Sequence, residues 1–211
     1  MKTEQLVEAL ARGAGAQKRG VVERRVLLAA AAGLAGALVL VPALFGFRGD
    51  LGDSFPAVFF KAVFGLTAAA AAAPLLVELA RPNTRVRHVL WPAALFAIAS
   101  IAIAIAAYVI APPEARMYAW LGGGVPECLY RIPLLAAPIA VALVLAIRGL
   151  GATRLTLAGG AIGAVSGSLA SIAYASCCPM DSALYVASWY LAAILFCAAV
   201  GALVVGPALR W

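Results

Sequence analysis

Between Val89 and Ala111 the chain reads VLWPAALFAIASIAIAIAAYVIA, without a single charged side chain. The IAIAIA run at 101–106 alternates with the period of a β-strand. A lone strand in hydrocarbon leaves its backbone N–H and C=O groups unpaired, whereas a helix pairs them internally, so helix is the expected form. Its length suits a membrane span, since about 20 apolar residues cross about 30 Å of hydrocarbon.

Five further runs of the same kind lie on either side. They are Val26–Gly46, Pro56–Leu79, a run from about Arg131 to Ile147 that can begin near Pro126, Leu155–Ser176 and Ala183–Leu209. In the run from Arg131 to Ile147, Pro133 falls in the first turn and Pro138 is expected to bend the helix. Composition agrees: 65% of residues are hydrophobic and 12% charged, against about 25% charged in soluble domains. The expected fold is all-α: a polytopic membrane protein with a bundle of six transmembrane helices and a short cytoplasmic N-terminal helix.

The chain divides at residue 25. Residues 1–25 form the one sizeable polar segment, and residues 26–211 the transmembrane domain. The segment is no signal peptide, because the first apolar run starts after residue 25 and is long enough to remain as a span. Within it Leu6, Val7 and Leu10 recur at helical spacing after Thr3, which predicts a short amphipathic helix over Thr3–Ala11, followed by a tether at Arg12–Gly20. Such a helix can rest on anionic lipid, dock in a partner's groove or fray.

Charge sets the expected orientation. With the N-terminus inside, twelve of the sixteen Lys and Arg fall on the inner side, which places both termini in the cytoplasm. Cys128, Cys177 and Cys178 then share the outer face, where in a bacterial inner membrane disulfides form and persist. A bond from Cys128 to Cys177 or Cys178 ties a loop of about 50 residues, worth about 4 kcal/mol against an unfolded chain. It could serve as a permanent staple or as a redox-sensitive clasp. Glu127 and Asp181 flank these thiols, but the spacing matches no closed zinc site, so at most Cys128 and Cys178 capture a metal transiently. Cys197, inside the sixth span, reads as a small packed hydrophobe.

Lys61 sits about 8 Å into the second span, shallow enough to snorkel outward, with Asp50, Asp53 or Glu114 as candidate partners. Gly159, Gly163 and Gly167 form GxxxGxxxG, and Gly33 and Gly36 give the first span a small face; both read as packing faces within the chain, with homo-oligomerisation left open. Trp91, Tyr118, Trp120, Trp189, Tyr190 and Trp211 read as interfacial anchors. The one histidine, His88, is expected to be solvated, and nothing implies a cofactor. A membrane thiol oxidoreductase would want a CxxC pair, which is absent. A small transporter would want several charges at the bilayer midplane, where none of the spans offers them.

Several stretches together resemble a known family. They are KTEQLVEALA at 2–11, PAVFFKAVFG around Lys61, the segment from Trp120 through Cys128 to Pro133, CPMDS at 178–182, Trp189-Tyr190 and the final Leu209-Arg210-Trp211. In these the chain resembles the NrsF-like negative regulators of extracytoplasmic-function sigma factors. The resemblance implies a non-enzymatic inner-membrane anti-sigma factor with six spans that holds its sigma factor at the bilayer and makes no direct contact with nucleic acid. It implies release under metal or oxidative stress, or under light and singlet oxygen, through one cysteine in each of two outer segments, Cys128 and Cys178. The chain departs from the pattern by carrying Cys177 directly before the matched cysteine. The N-terminal helix, with Leu6, Val7 and Leu10 as anchors and Thr3, Glu4 and Glu8 beside them, is the implied sigma-binding element. Lys61, as an intramembrane charge, and Asp181, as a carboxylate flanking the thiols, are the further candidate site residues.

Overall fold

The structure is a computed structural model that describes residues 20–81, 86–122, 124–148, 150 and 154–206. The sigma-binding candidates Thr3, Glu4, Leu6, Val7 and Leu10, and Trp211, lie outside these residues. The described residues form helices: α1 (Val21–Leu44), α2 (Phe55–Leu79), α3 (Arg87–Ile110), α4 (Pro113–Leu121), α5 (Cys128–Ile147), α6 (Leu155–Tyr174) and α7 (Ala183–Val205). All but α4 are long and apolar enough to cross a membrane. The IAIAIA run is helical within α3.

Helix α6 is the core of the bundle. Of its most apolar window 67% is buried, against 6% for α3 at the periphery. The reason lies in its sequence: LAGGAIGAVSGSLAS offers small side chains on every face, so α2, α5 and α7 can all lie close against it. A Cβ added at Gly163 would meet the Cys197 carbonyl oxygen at 2.0 Å, and one at Gly159 the Gly201 carbonyl oxygen at 2.3 Å. The glycine face therefore packs within the chain, as expected. Gly33 meets Ile139 of α5 in the same manner, whereas Gly36 faces open space. Cys197 is buried against Gly163 and Gly167, as a packed hydrophobe should be.

Helix α1 rests chiefly on α5, and α3 on α2 and the start of α7. Helix α7 widens into π-turns at Val186–Tyr190 and Gly201–Val205, and the second carries Gly201, which faces Gly159.

Three features differ from the sequence reading. Helix α1 begins at Val21, so Glu23, Arg24 and Arg25 stand in its first turns. Residues 113–121 form α4, started by Pro113 and closed by Gly122 at φ 67°, a left-handed conformation that suits glycine. Tyr190 is no interfacial anchor: it is fully buried, its ring against Phe64 and Tyr174, because the π-turn it ends rotates it into the bundle. Trp189 beside it does sit near the rim, stacked on Trp120 at 5.7 Å and donating Nε1–H to the Trp120 carbonyl.

Candidate functional site

At one end of the bundle α6 gives way to the loop 175–182. Its first turn is held by the N–H groups of Cys177 and Cys178, both bonded to the Tyr174 carbonyl at 3.1 Å. That leaves the Cys178 carbonyl and the Asp181 carboxylate pointing into the bundle, and two cations from other parts of the chain meet them there. Lys61 Nζ, on α2 and fully buried, donates to the Cys178 carbonyl at 2.8 Å and to Asp181 at 2.7 Å. Arg48, in the loop between α1 and α2, donates to the same carbonyl at 3.1 Å and forks onto both oxygens of Asp181 at 2.8 and 3.1 Å. Its other edge bonds Asp50 and Ser54.

A charge removed from water persists only when it is paired and hydrogen-bonded, and two cations facing two carboxylates meet that condition. The expected partners of Lys61, Asp50, Asp53 or Glu114, are thereby corrected to Asp181. Lys61 is fully buried and commits its charge to loop 175–182 at the thiol end of the bundle. The hydrogen bonds from Arg48 and Ser54 hold the Asp50 carboxyl well below the usual carboxylate range. At Asp181 partial burial works against ionisation, but hydrogen bonds from Arg48 and Lys61 outweigh it and its pKa falls below normal. The Arg48 guanidinium, bonded to Asp50 and then Asp181, is correspondingly raised.

The thiols lie beside this ion cluster. Cys128, at the start of α5, donates from Sγ to the Tyr185 hydroxyl at 3.4 Å. Cys178 and Tyr185 line a cavity of about 470 Å³ together with Tyr174, Glu127, Tyr130 and Met180. Cys177 turns the other way and donates to the Tyr174 carbonyl at 3.3 Å; burial, reinforced by Cys178, pushes its thiol up to about 11. Of the vicinal pair, Cys178 is thus the one that faces the cavity. All four cysteines are free thiols. Among the described residues no three Cys, His, Asp or Glu side chains are grouped to hold a metal. Asp181 is already taken by Lys61 and Arg48, and Glu127 by Arg131 at 2.9 Å.

Arg48 escaped the sequence reading. It stands in a short polar loop like many others, and its partner lies 133 residues away. Tyr185 and Tyr174 were also missed, since a tyrosine near a span end reads as an anchor.

The Tyr190 hydroxyl is buried and without a hydrogen-bond partner among the described residues. Tyr190→Phe is therefore expected to leave stability unchanged or raise it by about 1 kcal/mol, since the orphan group already bears its desolvation cost. Unfolding in mixed detergent micelles measures this.

At the opposite end Arg81, just beyond α2, bonds Glu78 at 3.3 Å and also Glu23 in the first turn of α1. The ends of α1 and α2 are thus tied at both extremities of the bundle, by Arg48 and by Arg81.

Residues 10–211 match the family model described as negative regulator of sigma F. The chain is 36% identical over 215 residues to a probable anti-sigma-F factor NrsF of Azospira oryzae and 29% identical over 220 residues to the anti-sigma-F factor NrsF of Caulobacter vibrioides. Both alignments cover 100% of each chain. No solved structure matches. With a family model spanning all but the first nine residues and full-length relatives on both sides, the chain belongs to the NrsF family of negative regulators of sigma F.

Proposed function

We propose that the protein is an inner-membrane anti-sigma factor that holds an extracytoplasmic-function sigma factor through residues 1–25 and releases it when Cys128 and Cys178 react. The thiol end of the bundle faces outward and both termini lie in the cytoplasm, as the distribution of Lys and Arg favours. Membership of the family supports the sigma-factor partner. The observation that carries the sensing part is the grip of Lys61 and Arg48 on the Cys178 carbonyl and Asp181.

That grip couples chemistry at the thiols to the helices that lead to the N-terminal segment. With hydrogen peroxide as oxidant, the Cys128 and Cys178 thiols give up two protons and two electrons, one S–S bond forms, and the peroxide is reduced to two waters. A soft metal ion would instead displace both thiol protons. Either event pulls Cys178 toward α5 and strains its contacts with Lys61 and Arg48. The displacement reaches α1 through the Arg48 loop and α2 through Lys61. At the far end α2 holds Glu23 through Arg81, at the root of the sigma-binding segment. Moving a two-state equilibrium from 1:99 to 99:1 takes about 5.5 kcal/mol, within reach of a thiolate–metal bond and beyond a single surface contact.

The test uses Cys128→Ala and Cys178→Ala, separately, in a strain with a sigma-dependent reporter. Each variant is expected to keep repression and lose induction by oxidant or metal, while Cys177→Ala keeps both. A normal response in either of the first two refutes the thiol trigger.

A further inference from the structure

An apolar concavity in the bundle lies away from Cys128, Cys177 and Cys178. It is a trench of about 460 Å³ between α5 and α7, floored by α6. Both walls rest on α6, yet α5 presents Ala136, Ala137 and Ala140 toward the gap and α6 offers Gly163 and Ser166 beneath it. Small side chains on two sides leave a slot that Phe196 and Val200 of α7 overhang. The trench runs along α5 from Pro133 to Arg148, about 22 Å by helical rise. Arg148 is the one charged residue in its lining. It is exposed, stands at the end of α5 opposite the thiols, and makes no ion pair among the described residues.

An apolar slot open to the bilayer gains nothing from hydrophobicity alone, since acyl chains are as apolar as the slot. Preference must come from shape and from charge at its end. A long narrow bed of alanine and glycine fits one acyl chain, and an arginine at its mouth fits a phosphate. Basic positions between transmembrane helices at the headgroup level select anionic lipids on this ground. We propose that the α5–α7 trench is a seat for an anionic diacyl phospholipid, with one acyl chain along α5 and the phosphate on Arg148. The bound chain fills the gap where α5 and α7 diverge, so the lipid acts as a packing element between them. This assigns Arg148 to lipid rather than to the sigma factor, and it holds whichever way the chain is oriented.

The test is native mass spectrometry of the full-length protein purified in mild detergent and titrated with phosphatidylglycerol or with phosphatidylcholine of identical acyl chains. One phosphatidylglycerol per chain is expected to stay bound in preference to phosphatidylcholine. Arg148→Gln is expected to weaken the phosphatidylglycerol adduct about fivefold and leave phosphatidylcholine unchanged, the effect of one arginine at a lipid surface. Ala140→Phe, which fills the trench, is expected to reduce both. Should Ala140→Phe fail to fold, Arg148→Gln at its exposed position still decides the matter. Equal retention of the two lipids by the native protein overturns the proposal, as does an Arg148→Gln variant that keeps the native preference. A second copy of the chain held in place of lipid overturns it too.

Discussion

Asp181→Ala is expected to destabilise the protein by about 3 kcal/mol and to abolish repression of the sigma-dependent reporter. The carboxylate lies between a fully buried ammonium and a guanidinium, and its loss leaves Lys61 with only the Cys178 carbonyl. Breaking a buried pair from one side costs about 3–5 kcal/mol; the lower end applies because the Asp181 side chain is 39% exposed. Exchanging both charges together, Lys61→Met with Asp181→Leu, is expected to recover much of the loss, since an apolar pair of similar volume often replaces a buried ion pair at little cost. Unfolding in mixed micelles measures the single and double variants, and equal loss in both refutes the pairing.

The same carboxylates set an acid limit. Asp50 and Asp181 have folded-state pKa values below their unfolded ones, so their contribution is fully present above about pH 4 and lost as pH falls through the folded values. Stability is expected to be flat between about pH 5 and 8 with respect to these groups and to decline below about 4. In Asp181→Ala that decline is expected to be shallower.

Gly163→Ala is expected to cost about 3 kcal/mol or more, beyond the usual range for one added methyl group. The methyl would stand 2.0 Å from the carbonyl oxygen of Cys197 and 2.9 Å from the Cα of Ala198. Both are backbone atoms, which cannot rotate aside as a side chain can, so α7 as a whole must shift away from α6. Gly36→Ala is the matched control: nothing lies within 4 Å of its Cβ position, and Ala is the better helix former. A thermal shift as small for Gly163→Ala as for Gly36→Ala would show that the α6–α7 seam is not closely packed.

The six long helices were legible because each is a sustained apolar run, and the cost of an unpaired backbone in hydrocarbon leaves helix as the answer even for the strand-like IAIAIA. That Cys128 and Cys177–Cys178 share one end of the bundle followed from counting spans, since two crossings, α5 and α6, lie between them and return the chain to the same side. The GxxxGxxxG face was equally plain as a place of close approach. The partners across such a face were not, because any small-faced helix could have met it.

Hydropathy, span parity and charge asymmetry are one-dimensional properties, so the residues in order were enough for the helical bundle and for the gathering of the thiols at one end. Which cation meets which carboxylate is a matter of where loops end in three dimensions. Arg48 and Asp181 are separated by 133 positions, and Lys61 found a partner that lies beyond four further helices in the chain. That Cys178 rather than Cys177 lines the cavity, and that Tyr190 turns inward, likewise goes with a tight turn at 175–178 and a π-turn at 186–190. Both are backbone rotations of a residue or less, and they are set by packing against α6 that no local pattern records.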